Sequence, residues 1–163
     1  MQNELQQKII YDNETNKIKE LSKQKNIVFT NGCFDILHSA HIKLLKYSKQ
    51  QGDILVVGLN TDDSIKRLKG SDRPINNLSE RATILSLFEF VDYIIIYDDD
   101  TPLNVLKILS PDILIKGSDY NMENVIGKEF SKKVLFFDLI NDKSTSKIIA
   151  KIKNYHYNND NDL

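Results

Sequence analysis

The sequence predicts a single doubly wound α/β domain built on a parallel sheet of about five strands. Three observations lead there. Apolar runs recur at intervals that leave room for a helix between them, and the runs are nearly continuous in Ile and Val instead of alternating with polar residues. A chain of 163 residues, 40% hydrophobic and 28% charged, also has enough apolar surface for one core and too little length for two.

Taken in order, residues 1–25 are polar and predict an N-terminal helical segment whose short amphipathic helix turns Ile18 and Leu21 toward the domain. The domain itself spans 26–153. Strands are predicted at Ile27–Phe29, Ile54–Leu59, Tyr93–Tyr97, Ile113–Ile115 and Val134–Phe137. Between the first two, His41–Gln50 reads as a helix packing through Ile42, Leu44 and Leu45. Lys43, Lys46 and Lys49 lie on another face, and Gly52 ends the helix. Ser79 is placed to cap a helix carrying Ala82, Leu85 and Phe88, and Thr101 to cap one that begins with Pro102. A last helix is predicted from Ser144 to about Lys153, followed by a disordered Asn- and Asp-rich tail, 154–163. Strands alternating with helices imply right-handed crossovers, which put ligands outside the carboxyl ends of the strands.

Composition excludes some functions. A formal net charge of −1 argues against a nucleic-acid partner held by bulk positive charge. No apolar stretch approaches the roughly 20 residues that span a bilayer, and the polar start lacks the pattern of a secretory signal. Cys33 is the lone cysteine, which fits a reducing compartment, so a cytoplasmic location is expected.

The most informative segment is Thr30 to His41, which passes straight from the first predicted strand into a helix. Gly32 permits close backbone approach, and the free amides opening the helix offer donors to an anion. There is no glycine-lysine loop of the Walker type. His38 and His41 are three residues apart, so in a helical turn they project to one side. Paired imidazoles suit phosphoryl chemistry because they donate to oxygens that gain charge during displacement. An ordinary pair of surface or capping histidines has the same spacing. Zinc is the weaker reading, since two histidines are too few.

Phe29-Thr30-Asn31-Gly32-Cys33-Phe34-Asp35, followed by His38-Ser39-Ala40-His41, resembles the nucleotidyltransferase superfamily whose signature is HxGH. Within it the chain is similar to the adenylyltransferases of D-glycero-β-D-manno-heptose 1-phosphate, from about Lys17 to Lys151. Arg73-Pro74-Ile75-Asn76, Ser79-Glu80-Arg81, Lys116-Gly117-Ser118-Asp119-Tyr120 and Ser144-Thr145-Ser146-Lys147-Ile148-Ile149 carry that similarity. The resemblance implies a Rossmann-like fold and a homodimer. It further implies transfer of a nucleotidyl group to a sugar phosphate with release of pyrophosphate. ATP is the expected nucleotide, with Mg2+ held mainly by the triphosphate and no protein metal site.

Carried over residue by residue, His38 and His41 would be catalytic. Asn31, Gly32, Cys33, Phe34, Asp35, Lys116, Gly117, Asp119, Ser144 and Thr145 would bind nucleotide, and Arg81 would lie near the acceptor. By charge and position, the basic segment Lys66, Lys69 and Arg73 and, on the helix His41–Gln50, Lys46 are candidates to hold phosphate or acceptor. Plainer roles compete: Asp35 as a turn cap, the lysines as a solvated face, Arg81 as a surface ion pair, Ser144 and Thr145 as helix caps. Asp98-Asp99-Asp100 reads as a solvated loop in preference to a magnesium site.

One position departs from the pattern: Ala40 stands where the signature has glycine, adding a methyl that fits if the backbone is right-handed helical. Two alternatives stay open. His41-Ile42-Lys43-Leu44-Leu45 also resembles the CTP-dependent glycerol-phosphate cytidylyltransferases, although Leu139-Ile140-Asn141-Asp142-Lys143 lacks the arginine-bearing pattern that group has before its final helix. A noncatalytic nucleotide-binding regulator is the other, for which Ala40 is the direct hint.

Overall fold

The computed structural model describes residues 7–117, 121–138 and 144–160, with side chains up to 155. Its centre is a six-stranded sheet in the order β1-β4-β3-β2-β5-β6, with every pairing parallel. The strands are β1 (Ile9–Tyr11), β2 (Ile27–Gly32), β3 (Ile54–Asn60), β4 (Tyr93–Tyr97), β5 (Ile113–Gly117) and β6 (Lys133–Phe137). Five lie where the apolar runs predict them. The sixth, β1, corrects the reading of 1–25 as helix alone: Ile9, Ile10 and Tyr11 pair with Ile94, Ile95 and Ile96 and extend the sheet beyond β4.

The helices are α1 (Thr15–Leu21), α2 (Ser39–Lys49), α3 (Asp62–Lys69), α4 (Leu78–Ser86), α5 (Leu103–Leu109) and α6 (Thr145–Asp160). One face of the sheet packs Ile18 of α1 and Val105, Leu106 and Leu109 of α5 over Phe29, Val56, Ile95 and Leu114. The other packs Leu44 and Leu45 of α2 and Ala82 and Leu85 of α4 over Val28, Leu55, Val57, Ile94 and Ile115. Covering both faces explains why the strands lack alternation.

Several boundaries differ from expectation for local reasons. Leu21 is 66% exposed because α1 ends there, and the helix is anchored by its buried Thr15 and Ile18. Asn77, not Ser79, caps α4 through a reciprocal box with Glu80. Pro102 sits one place before α5, where no side chain caps. Helix α3 was not predicted; Thr61 caps it, with Asp62 and Asp63 in its first turn and Lys66, Arg67 and Lys69 in its last, matching the helix dipole. Helix α6 continues to Asp160, into the segment expected to be disordered.

The chain starts the central strand β2, winds outward to β3 and β4, and then returns past β2 to β5 and β6. The switch point is therefore between β2 and β5. At such a point adjacent loops leave in opposite directions and open a crevice at the carboxyl ends.

Candidate active site

Thr30, Asn31 and Gly32 of β2, Cys33 just after it, and Lys116 and Gly117 of β5 line a cleft of about 390 Å³ at that switch point. Lys69 and Leu68 of α3 and Asn124 and Ile126 beyond β5 form its other walls.

The loop leaving β2 is held by buried charge. Asp35 is almost wholly buried; its carboxylate accepts from Arg73 Nε at 2.8 Å, from the Ile75 amide at 2.9 Å and from the Asn76 amide at 2.8 Å. Burial pushes the carboxyl up, but the amides of Asn76 and Ile75 together with the Arg73 guanidinium outweigh it and hold it below the usual carboxylate range. Asp35 is thus an anchor that locks the loop 73–76, whose Arg73–Pro74 bond is cis, beneath the turn.

Arg81 anchors the same loop from the other side. It is fully buried, donating through Nε to the Asn76 carbonyl at 3.1 Å, through Nη1 to the Cys33 carbonyl at 2.8 Å and through Nη2 to Asp62 Oδ1 at 2.7 Å. This corrects its expected role at the acceptor: the guanidinium is spent on the protein's own backbone and on the first residue of α3. Phe34, between these anchors, is held at φ 45°, a left-handed conformation uncommon for a residue with a side chain. Its buried ring compensates, lying over Gly32, where an added Cβ would come within 3.2 Å of it.

His38 and His41 are brought together. His38 is the N-cap of α2 with extended backbone, and His41 occupies the first turn, so the pair is not formed by a helical turn alone. Their rings nevertheless stack with centroids 3.8 Å apart and planes 24° from parallel, and Phe34 tilts against His41 at 5.2 Å. His41 Nδ1 is buried without a hydrogen-bond partner. Burial first, then the neighbouring His38 and the positive charge of Lys69, lower the His41 pKa from 6.5 to about 4, so in the free protein it is neutral at pH 7. Ala40 lies buried in the right-handed turn between them, the condition under which its methyl is accommodated.

The basic residues divide sharply. Lys69 lines the cleft. Lys66 instead pairs with Asp63 on the exposed face of α3 at 3.0 Å. Lys46 sits 5.8 Å over the Phe90 ring, toward the far end of α2 from the histidines, which corrects its expected reach to a phosphate. Arg73 lines a separate groove against α6 with Ile75, Ile149 and Lys153. Ser144 accepts from the Lys147 amide at 3.2 Å as a cap, and Thr145 Oγ1 reaches the Ile36 carbonyl at 3.4 Å, bringing the start of α6 against the loop after β2. Asp119 lies outside the described residues. Of the acidic run, Asp98 and Asp100 pair with Arg67. Among the described residues no three His, Cys, Asp or Glu side chains converge as a metal cage.

Sequence reasoning missed Asn60 and Tyr97, which line the cleft floor. The signal was an asparagine and a tyrosine ending otherwise aliphatic strands.

A switch-point cleft near the opening of a helix that carries two histidines, themselves outside the cleft lining, fits the Rossmann-like α/β fold of nucleotidyltransferases. Residues 29–157 match the cytidylyltransferase-like family, and the chain belongs to it. It is 56% identical over 129 residues to "Bifunctional protein HldE" of Campylobacter fetus, covering 79% of this chain and 28% of that protein. Its identity to the protein of that name from Helicobacter hepaticus is 49% over 153 residues, 94% of this chain and 32% of the relative. The chain therefore spans about a third of the length of these curated relatives. Among solved structures, a lipopolysaccharide core biosynthesis protein from Thermoplasma volcanium superposes with a TM-score of 0.59 at 29% identity, covering 71% of this chain and 98% of that one. A pantoate-beta-alanine ligase from Francisella tularensis shares the fold, with a TM-score of 0.59 at 19% identity over 80% of this chain and 66% of its own.

Proposed function

We propose that the domain transfers the adenylyl group of ATP to a heptose 1-phosphate, giving ADP-heptose and pyrophosphate. The observation that carries the nucleotidyl-transfer part is the stacked His38–His41 pair at the opening of α2, beside a cleft that Lys69 and Lys116 line. The choice of ATP and heptose follows from the sequence resemblance around Lys116-Gly117 and Ser144-Thr145, and the HldE relatives support it.

An oxygen of the acceptor phosphate attacks the α-phosphorus in line, and the bond to the β-phosphate oxygen breaks as pyrophosphate leaves. The acceptor phosphate is already ionised, so no strong base is needed. The protein acts by positioning and by charge stabilisation. Imidazole N–H groups donate to oxygens that gain charge, and Lys69 adds a nearby cation. The triphosphate also raises the proton affinity of His41, because an adjacent anion favours the charged form. Asp35, Asp98 and Asp100 are all engaged by arginines, which favours magnesium entering as part of the MgATP substrate.

Pyrophosphate release with magnesium tests the reading, pairing ATP or CTP with heptose 1-phosphate or glycerol 3-phosphate. Release confined to ATP with heptose 1-phosphate is the expected result. Release with CTP and glycerol phosphate would transfer the chain to the cytidylyltransferase alternative, and nucleotide binding without release in any pairing would favour another acceptor or a noncatalytic role.

A further inference from the structure

Beneath the cleft, side chains from four strands and one helix form a single line of hydrogen bonds that all run in one direction. Lys116 Nζ on β5 donates to Asn31 Oδ1 on β2. Asn31 Nδ2 donates to the Tyr97 hydroxyl on β4 at 3.0 Å, which donates to Asn60 Oδ1 on β3 at 3.1 Å. Asn60 Nδ2 donates to Ser64 Oγ on α3 at 3.0 Å, and that hydroxyl donates to the Asp99 carbonyl at 3.0 Å.

The link from Tyr97 to Asn31 crosses a strand, because β3 lies between β4 and β2. It passes where Gly58 pairs with Asn31 on one side and Ile95 on the other. A Cβ at Gly58 would meet Phe29 Cζ at 2.6 Å and Asn31 Cβ at 2.9 Å, so the missing side chain is what leaves the passage open.

We propose that Tyr97 is a positioning residue, orienting the Lys116 ammonium in the cleft through the Asn31 carboxamide. Tyr97, Asn60 and Ser64 are buried, so these groups find partners in the protein or lose hydrogen bonds outright. With every donor pointing the same way, each bond polarises the next, and the Asn31 oxygen becomes a stronger acceptor for Lys116. Removing the tyrosine hydroxyl unties the Asn31 amide, whose oxygen then turns away from the lysine. What Lys116 faces, a nucleotide, rests on the function proposed above. Its tether to Tyr97 does not.

The test is Tyr97→Phe, which keeps the ring, read in two ways. In ligand-free protein, trace acylation of amines mapped by mass spectrometry should label Lys116 about fivefold faster than in the parent, the worth of one hydrogen bond, with Lys69 unchanged as internal control. Unaltered Lys116 labelling overturns the proposal. In ATP titrations, Tyr97→Phe should weaken binding by a similar factor in the parent and by nothing further in a Lys116→Met background. Equal weakening in both backgrounds would make Tyr97 merely structural and overturn it. In steady state the nucleotide KM should rise while the acceptor KM holds. A parent that binds neither ATP nor CTP sinks the proposed function and leaves the labelling arm to decide this one. If Tyr97→Phe does not fold, Asn60→Ala, which leaves ring and hydroxyl in place, is read by the same two measurements.

Discussion

The two edges of the sheet use charge in opposite ways. At the amino edge, carboxylates close the strand starts: Asp53 accepts from the Asn26 amide at 2.8 Å, Asp92 from the Leu55 amide at 2.7 Å and Asp112 from the Ile27 amide at 2.7 Å. Lys49 and Lys132 pair with the last two. At the carboxyl edge around β2 and β5, the cleft is lined mainly by amides, hydroxyls, lysines and apolar groups; its one carboxylate among the described residues, Asp100, is paired with Arg67, and Asp35 is neutralised by Arg73. A net charge of −1 says nothing of this separation. What separates the edges is that strand starts expose amide donors that recruit carboxylates, while an anion site must keep free carboxylates away.

The hardest way to break the contrast is to remove its one buried carboxylate at the active edge. Asp35→Ala leaves Arg73 buried without its partner and should cost roughly 3–5 kcal/mol in urea unfolding. Next come the histidines. His38→Ala or His41→Ala should lower turnover by about 10²–10³ in pyrophosphate release while the melting temperature barely moves, and unchanged turnover would remove their assigned role.

Acid should strike the same edge. His41 takes a proton near pH 6.5 when unfolded but only near 4 when folded, so the unfolded chain binds more protons in that window. Stability should therefore fall by on the order of 3 kcal/mol as pH drops from 6.5 to 4. Denaturation of His41→Ala over the same range should be flatter, and added ATP should flatten the parent's curve. A parent no steeper than the mutant would show that His41 is not desolvated. Further down, Asp112, held below the usual range by Lys132 and the Ile27 amide against burial, loses its contribution as it protonates. At the amino edge, Asp112→Ala should cost about 1 kcal/mol and leave nucleotide affinity untouched. The smallest effect is Lys46→Ala, expected within about 0.5 kcal/mol of the parent and fully active.

Much of this architecture was legible because buried parallel strands must be continuous in apolar residues, as Ile54–Leu59 and Tyr93–Tyr97 are. Strand β1 was not, since three residues in a polar stretch become a strand only by pairing with β4. Helix α3 carries too few apolar residues for periodicity to reveal it, although Thr61, the acidic first turn and the basic last turn were readable signs. Within the site, the histidine pair and the glycine turn were legible through the family resemblance of Phe29 to His41, since an ordinary capping pair has the same spacing. The partners of Arg73 and Arg81 did not, because a guanidinium in a sequence gives no sign of whether it will face a ligand or its own backbone. The polar ends of β3 and β4 marked Asn60 and Tyr97, but not their link to Asn31, because that link depends on a passage opened by a glycine on the intervening strand.

The face-to-face imidazoles also set a limit on proton traffic. Two rings 3.8 Å apart repel once both are cationic, so a proton on His38 opposes one on His41, and an incoming triphosphate works against that opposition. Calorimetric heats measured in buffers of different ionisation enthalpy should show a component of proton uptake on nucleotide binding in the parent that His41→Ala loses.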